Sequence, residues 1–248
     1  MDVTEITEDR FLGGRVRARQ LARGFRSGLD AVMLAAAVPA QAGDTVLELG
    51  SGVGVASLCL AARVPGCKIT GIEIDPELTA LAAENAAANE MESRARFVQG
   101  DVLNLPPDLR KGFEHVLCNP PFHDANGETS PDPLRAQALQ DGGDLSRWLE
   151  SGIKRAAANG TFTAILRADR LTQALDALPE LGVSVFPLWP KLSVPAKRVI
   201  VHLRRGGRTP FALLPGLVLH EDDGRYTPEA DAILRGNAAA TINPFERR

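Results

Sequence analysis

Cysteine and histidine are scarce in this chain of 248 residues, and its apolar residues form no long run. The cysteines, Cys59, Cys67 and Cys118, lack C-x-x-C spacing and regular histidine companions, which argues against both a zinc site and a disulfide framework. No run of about 18 apolar residues occurs, so the sequence predicts no membrane-spanning segment. The first residues also lack the basic and apolar regions of a secretory signal peptide. We therefore expect a cytoplasmic protein that holds no metal.

The composition favours one folded domain. A hydrophobic fraction of 44% in 248 residues is enough to bury one sizeable α/β core, and a net charge of −3 excludes a generally basic protein. We predict that residues 1–248 form a single domain. A basic N-terminal segment at about residues 10–38 and a C-terminal extension at about residues 209–248 would flank its central part.

A strand, a glycine turn and a helix follow one another early in the chain. Residues 45–49 form a β-rich run, the turn reads Gly50-Ser51-Gly52-Val53-Gly54, and residues 55–63 have helical spacing. Glycines let a ligand approach the backbone, and a helix N-terminus offers unpaired N–H groups. This turn predicts a site for an adenosine-bearing cofactor. A nicotinamide site fits poorly, because Val55 stands where the G-x-G-x-x-G fingerprint has its third glycine.

Two further predicted strands end in carboxylates. Residues 68–74 contain Glu73, which can accept hydrogen bonds from both hydroxyls of a ribose. Residues 95–99 lead into Gly100-Asp101, where Asp101 can meet an adenine amine. Ligands of open α/β sheets lie at the carboxyl edge of the strands. The pattern therefore predicts one cofactor site along this edge.

The tetrad Asn119-Pro120-Pro121-Phe122 follows a strand predicted at residues 113–118. An asparagine side-chain oxygen and the carbonyl of the next proline can both accept hydrogen bonds from one exocyclic NH2, while an aromatic ring stacks on the base. Proline suits this position because it has no N–H to donate and a fixed φ. We predict that Asn119, Pro120 and Phe122 are catalytic and hold a planar amine.

The other segments complete an α/β sheet. Helices are predicted at residues 31–38, 76–89, 144–158 and 170–178, and strands at residues 161–166, 183–189 and 198–203. No helix separates the last two strands, so they are expected to form an antiparallel hairpin. The prediction is a seven-stranded sheet, parallel except for its last strand, with helices on both faces.

These motifs resemble those of class I S-adenosylmethionine-dependent methyltransferases that methylate amino groups. The resemblance spans most of the chain and rests on residues 48–54, 71–75 and 119–122. Residues 28–32 and 226–229 make the chain most similar to the bacterial valine-tRNA adenine-N6-methyltransferases. That family often has tyrosine where this chain has Phe122, and either ring can stack.

The resemblance implies a Rossmann-like methyltransferase fold, S-adenosylmethionine as cofactor, and the N6 amine of a tRNA adenine next to the anticodon as methyl acceptor. It also makes Asp30 a candidate near the methionine end of the cofactor, although Asp30 could instead cap the predicted helix at 31–38. The predicted cofactor-binding residues are Glu48, Gly50, Ser51, Gly52, Gly54, Glu73, Asp101, Val102 and Asn119.

Two basic stretches are candidates for RNA contacts. Residues 10–26 contain six arginines without an acid, and residues 191–208 contain six basic residues without an acid. Alternation places three of these arginines on one face of a strand. The alternative is an edge strand whose arginines only prevent sheet pairing. The predicted RNA-binding residues are Arg15, Arg17, Arg19, Arg26, Lys197 and Arg198.

The tetrad is equally compatible with an adenine of ribosomal RNA, a DNA base or a glutamine of a translation factor as methyl acceptor. The arginine-rich start and the absence of an extra recognition domain favour structured RNA. A nucleotide-binding oxidoreductase and a non-catalytic RNA-binding module are alternatives of a different class. Val55 and the intact tetrad argue against both.

Overall fold

The computed structural model describes residues 5–24, 26–121 and 145–242, and its strands form two sheets. A two-stranded antiparallel hairpin joins β1 to β2, and the larger sheet has the order β10-β8-β9-β7-β6-β3-β4-β5, with β11 beside β8. In chain order the strands are β1 (Ile6–Phe11), β2 (Val16–Leu21), β3 (Thr45–Leu49), β4 (Lys68–Glu73), β5 (Ala95–Gln99), β6 (Phe113–Cys118), β7 (Ala156–Arg167), β8 (Val183–Trp189), β9 (Arg198–Arg204), β10 (Ala212–Leu213) and β11 (Leu217–Val218).

Strand directions confirm the predicted sheet. Neighbouring strands from β5 through β4, β3 and β6 to β7 are all parallel. The last of the seven predicted strands, β9, inserts between β7 and β8 and runs antiparallel to both. The short strands β10 and β11 pair with β8 in parallel and were not predicted, because two residues carry no periodicity.

Helices cover both faces of the sheet. Alternate strand residues divide between two apolar cores: Val46 belongs to the core with α1 and α2, whereas Leu47 and Leu49 belong to the core with α4. The described helices longer than one turn are α1 (Leu29–Ala37), α2 (Val55–Arg63), α3 (Pro76–Ala88), α4 (Leu145–Arg155), α5 (Leu171–Asp176) and α6 (Pro228–Leu234). Among the described helices, none is long and apolar enough to cross a membrane.

The ends of two helices have local causes. Asp75 caps α3, because its Oδ1 accepts hydrogen bonds from the N–H groups of Glu77 and Leu78 at 2.8 and 3.1 Å. The helix predicted at residues 144–158 is wrong at its end. Residues 156–158 are alanines, which favour helix, but Ala156 pairs with Phe113 of β6 and begins β7. Sheet pairing outweighs helix propensity at this point.

Candidate active site

The glycine turn after β3 has a backbone conformation that favours glycine. Gly50, Gly52 and Gly54 have φ values of 67°, 53° and 85°, in the left-handed region. A Cβ atom added at Gly50 would lie 2.7 Å from Cη2 of Trp148, and one added at Gly54 would lie 2.6 Å from Cζ of Phe97. A Cβ atom added at Gly52 would meet no described atom within 4 Å. Gly50 and Gly54 therefore permit close packing, whereas Gly52 faces space that a ligand can enter.

Glu73, at the end of β4, fastens this turn. Its Oε2 accepts a hydrogen bond from the N–H of Gly52 at 2.8 Å, and its Oε1 accepts one from the N–H of Asp75 at 3.0 Å. Burial raises the pKa of Glu73 despite these two hydrogen bonds. A carboxylate offers roughly four acceptor positions, so Glu73 retains capacity for the hydroxyls of a ribose.

Glu48 is buried within β3 and contacts the helix that follows the turn. Its Oε2 accepts hydrogen bonds from the backbone N–H of Ser57, at 3.0 Å, and from the Ser57 hydroxyl. Burial raises the pKa of Glu48 from 4.5 to about 8, and the nearby Glu73 charge adds to this effect. Glu48 therefore carries a proton at neutral pH and joins β3 to the first turn of α2. Its contact with the cofactor stays a prediction.

Unpaired polar atoms gather next to the glycine turn. Asn119 follows Cys118, which pairs with Leu49 across the two strands, so Asn119 lies beside Gly50. The buried Oδ1 of Asn119, Oγ of Ser51 and Nε1 of Trp148 have no hydrogen-bond partner among the described residues. Nearly all buried polar atoms in folded proteins are hydrogen-bonded. Three such atoms at one sheet edge fit a bound ligand, and the cofactor implied by the sequence motifs has polar groups to match them.

The predicted site residues follow one edge of the sheet in spatial order. Because β6, β3, β4 and β5 are parallel neighbours, their carboxyl ends bring Asn119, Gly50, Glu73 and Asp101 into a row. Asp101 is exposed, and its Oδ1 accepts a hydrogen bond from the N–H of Leu103 at 2.8 Å.

Three other residues were predicted at this edge: Val102, Pro120 and Phe122. Val102 is buried, and its carbonyl accepts a hydrogen bond from the Ser151 hydroxyl at 2.6 Å. Pro120 is buried directly after Asn119. Phe122 lies outside the described residues, so its stacking role stays a prediction.

Asp30 forms an ion pair at the same edge and does not cap its helix. Gly28 is the N-cap of α1, while Oδ2 of Asp30 lies 2.8 Å from Nε of Arg198. Arg198 begins β9 opposite Arg167, which ends β7, so the pair stands where the parallel strands finish. The predicted RNA contact of Arg198, and that of its exposed neighbour Lys197, stay predictions.

Arg17 and Arg19 share one exposed face of β2, as predicted, but Arg15 precedes the strand, and the two arginines of β2 lie along α3. Nη1 of Arg19 is 2.7 Å from Oε2 of Glu84, and the backbone N–H of Arg17 donates to Oδ1 of Asn89 at 2.9 Å. Helix α3 starts at the carboxyl edge and has Asn89 as its C-cap, so Arg17 lies toward the opposite edge from Asn119.

Arg15 and Arg26, the other two N-terminal arginines predicted to bind RNA, also form hydrogen bonds within the protein. Nη2 of Arg15 donates to the carbonyl of Arg235 at 2.8 Å. Nη2 of Arg26 lies 2.5 Å from Oδ2 of Asp9, and its Nη1 donates to the Thr7 hydroxyl at 2.6 Å. The roles of all four arginines in RNA binding stay predictions.

Sequence reasoning missed two residues that shape the site. Trp148 packs against Gly50. The only signal for Trp148 in the sequence was its place on the apolar face of α4. Asn85 is buried in α3, where its Nδ2 donates to the carbonyls of Val53 and Arg19 at 3.0 Å each. It thereby connects the hairpin to the glycine turn. A polar residue on the buried face of an alanine-rich helix was the available signal.

The described residues contain no group of three or more histidine, cysteine, aspartate or glutamate side chains that could hold a metal ion.

Comparisons with known folds agree with this architecture. A predicted O-methyltransferase from Agrobacterium tumefaciens superposes with a TM-score of 0.72 at 22% identity, over 85% of this chain and 98% of that one. The 16S rRNA N2 G1207 methyltransferase of Thermus thermophilus, solved with AdoMet and guanosine, gives a TM-score of 0.56 at 19% identity, over 81% of this chain and 50% of that one. Both likenesses show the fold.

Comparisons of sequence show the family. The model of the methyltransferase small domain matches residues 28–146. The tRNA1(Val) (adenine(37)-N6)-methyltransferase of Shewanella woodyi is 27% identical over 86% of this chain and 92% of its own length. The protein of the same name from Aeromonas hydrophila is 30% identical over 82% of this chain and 86% of its own length. The chain therefore belongs to the class I S-adenosylmethionine-dependent methyltransferases, in the family of the tRNA1(Val) (adenine(37)-N6)-methyltransferases.

Proposed function

We propose that this protein methylates N6 of adenine 37, next to the anticodon, in a valine tRNA. The names of the relatives from Shewanella woodyi and Aeromonas hydrophila support this substrate. The observation that carries the proposal is the buried Oδ1 of Asn119, which has no donor among the described residues. A buried acceptor without a donor costs about 1–3 kcal/mol, and an amine that arrives with the substrate removes this cost.

The carboxyl edge of the sheet would hold the cofactor. Bound S-adenosylmethionine supplies an electrophilic methyl group on a sulfonium. The open side of Gly52 would admit the cofactor to the backbone, Glu73 would accept hydrogen bonds from its ribose hydroxyls, and Asp101 would accept one from its adenine amine. The unpaired Oγ of Ser51 offers a further polar contact. These residues bind and orient, and we assign none of them a proton transfer.

Asn119 and Pro120 would activate the amine of the substrate. This amine is a poor nucleophile because its lone pair is delocalised into the ring. Oδ1 of Asn119 and the carbonyl of Pro120 would accept hydrogen bonds from the two N–H groups of this amine and draw its nitrogen toward tetrahedral geometry. The same two oxygens stabilise the positive charge that develops on the nitrogen. No general base is required, since the methylated amine is acidic enough to release its proton to water.

Orientation and stacking would supply the rest of the acceleration. Alignment of two reactants contributes up to about 7–11 kcal/mol in favourable intramolecular systems. Phe122 would stack on the base, which is worth about 1–3 kcal/mol in proteins that bind single strands. An anticodon-loop adenine is unpaired, so its presentation costs less than extraction of a base from a duplex. A tRNA substrate also assigns the enzyme to the cytoplasm.

The test is methyl transfer from labelled S-adenosylmethionine into total tRNA of a strain that lacks the gene. We expect label in valine tRNA, and nucleoside analysis should identify it as N6-methyladenosine. Parallel reactions contain rRNA, DNA and protein from the same strain. Label confined to one of those three would refute the tRNA proposal and identify the alternative acceptor.

A further inference from the structure

A cationic cleft lies between α4 and the segment that joins β5 to β6. It has a volume of about 430 Å³ and is lined by Arg110, Arg147, Lys154 and Arg155, with Glu150 as its acid. The sequence did not reveal this cleft, because Arg110 and the basic residues of α4 are separated by more than thirty residues of chain. Four cations against one acid make it a concentrated positive surface on a chain whose net charge is −3.

Helical periodicity aligns the basic residues of the cleft. Arg147, Glu150 and Lys154 are three, four or seven residues apart and so share one face of α4. The opposite face is fixed by close packing, since a Cβ atom added at Gly152 would lie 2.2 Å from the ring of Phe162. The core therefore holds the α4 wall of the cleft.

Hydrogen bonds hold the other wall. The Ser151 hydroxyl donates to the carbonyl of Val102 at 2.6 Å, which ties α4 to the segment after β5. Nε of Arg110 donates to the carbonyl of Leu105 at 2.8 Å, which holds the Arg110 side chain on that segment. The cleft is thus formed before a ligand arrives.

The charge of the cleft is not neutralised within the described protein. Arg155 is only 9% exposed and donates to the carbonyl of Arg110 at 2.5 Å, without a carboxylate partner among the described residues. Burial lowers the pKa of Arg155, and the charges of Arg110 and Arg205 lower it further. Arg147 and Lys154 are exposed, and neither forms an ion pair with a described residue. An anion in the cleft would relieve this repulsion.

We propose that this cleft binds phosphodiester groups of the substrate RNA. The inference rests on the proposed function and adds a docking surface to it. Arginine matches phosphate oxygens in a bidentate way, and lysine binds them as a point charge. The first turn of α4 carries Trp148, which packs against Gly50, so the cleft begins at the edge that holds Asn119. From there Arg147 and Lys154 span about 10 Å along the helix axis.

The N-terminal arginines that were predicted to bind RNA are less available for this role. Arg19 is paired with Glu84, and Arg26 is paired with Asp9. Arg17 lies toward the edge of the sheet opposite Asn119, next to the end of α3. Arg147 is on the first turn of α4, next to Trp148 and the edge that holds Asn119, and it forms no ion pair with a described residue, so we assign the main phosphate contacts to the cleft that begins there.

The test compares salt dependence of tRNA binding and the KM for tRNA in charge-reversed full-length enzymes. Arg147→Glu and Lys154→Glu change exposed side chains, and Lys68→Glu is the control at an exposed lysine that begins β4 and does not line the cleft. Each phosphate contact contributes about 0.7–0.9 to the slope of log K against log salt, so the double variant should lose about 1.4–1.8. Between 50 and 200 mM salt, this makes the affinity of the wild type fall about sevenfold to twelvefold more than that of the variant.

We expect the double variant to raise the KM for tRNA and to keep kcat, whereas Lys68→Glu changes neither. If wild type methylates tRNA while the double variant keeps the wild-type KM and salt slope, the cleft inference alone is overturned. If wild type neither binds nor methylates tRNA, both proposals fall. Inorganic phosphate is a second probe. If phosphate raises the melting temperature of wild type but not of the double variant, and the two proteins have the same KM for tRNA, the cleft binds a small phosphate ligand. This result would overturn the inference.

Discussion

The backbone N–H of Gly52 donates to Oε2 of Glu73 at 2.8 Å and so joins the glycine turn after β3 to the end of β4. Both residues were predicted to bind the cofactor, and this bond makes them one unit. Any ligand that enters the open side of Gly52 meets a carboxylate whose position is already fixed. Two kinds of variant can therefore separate the binding role of the turn from its structural role.

Glu73→Ala should greatly reduce cofactor affinity. The variant loses the acceptor for ribose hydroxyls and also leaves the N–H of Gly52 without its partner, which costs about 1–3 kcal/mol for a buried group. The measurement is the rise in melting temperature with S-adenosylhomocysteine, since a ligand that binds only the folded state stabilises it. Glu92→Ala, at an exposed carboxylate, is the control and should keep the full rise. NAD should produce no rise in either protein, and an undiminished response of Glu73→Ala would contradict the assignment.

Gly52→Ala should mainly lose cofactor affinity, whereas Gly54→Ala should mainly lose stability. Both substitutions put a Cβ atom at positive φ, which costs about 1–2 kcal/mol. Gly54→Ala also drives its Cβ into Phe97, adding about 1–3 kcal/mol of overpacking, so its midpoint in urea should fall further. Gly52→Ala meets open space and should stay folded while it loses cofactor affinity. Equal stability of the two variants would show that the packing around Gly54 relaxes.

The stability of the protein should depend on the proton of Glu48. Its pKa is 4.5 when unperturbed and about 8 in the folded protein. Between these values the folded state binds more protons than the unfolded state, so the contribution of Glu48 to the free energy of unfolding falls as pH rises from about 4.5 to about 8. The slope is at most about 1.4 kcal/mol per pH unit.

Glu48→Gln isolates this effect, because it keeps an oxygen that can accept from Ser57 and removes the ionisation. We expect the difference in free energy of unfolding between Glu48→Gln and wild type to grow in favour of the variant as pH rises from 5.5 to about 8, as measured by urea titration. Glu73 titrates in both proteins, and its charge raises the pKa of Glu48, so the coupling of the two carboxyls is part of the measured difference. A difference that is constant with pH would mean that Glu48 is already ionised in the folded state.

The sequence predicted the parts of the site that depend on local signals. Strands β3 and β6 were predicted with the bounds that the structure has, because each is a short apolar run bounded by turn residues. The glycine turn was predicted for the same reason, since positive φ at Gly50, Gly52 and Gly54 needs glycine. The row from Asn119 to Asp101 then followed from the rule that parallel strands end at one edge.

The sequence could not predict features that depend on partners distant along the chain. Arg19 looks free for RNA in the sequence, yet Glu84 lies opposite it only because β2 packs along α3. Arg198 and Asp30 are likewise brought together by β9 inserting between β7 and β8. The cationic cleft requires the approach of Arg110 to α4, which no spacing in the sequence encodes.

Asn119→Ala should separate chemistry from stability. Oδ1 of Asn119 has no partner among the described residues, so its removal should not lower the melting temperature of the free protein. Cofactor affinity, measured by the melting-temperature rise with S-adenosylhomocysteine, should stay close to that of wild type. The methyl-transfer rate under single-turnover conditions should fall by about 10²–10³, by analogy with the loss of one oxyanion-hole hydrogen bond. Asn237→Ala, at an exposed asparagine beyond α6, is the matched control and should keep the full rate.

If Asn119→Ala transfers methyl groups at nearly the wild-type rate, its oxygen does not stabilise the amine in the transition state. If it instead loses stability together with rate, Asn119 acts through the packing of the β3–β6 edge.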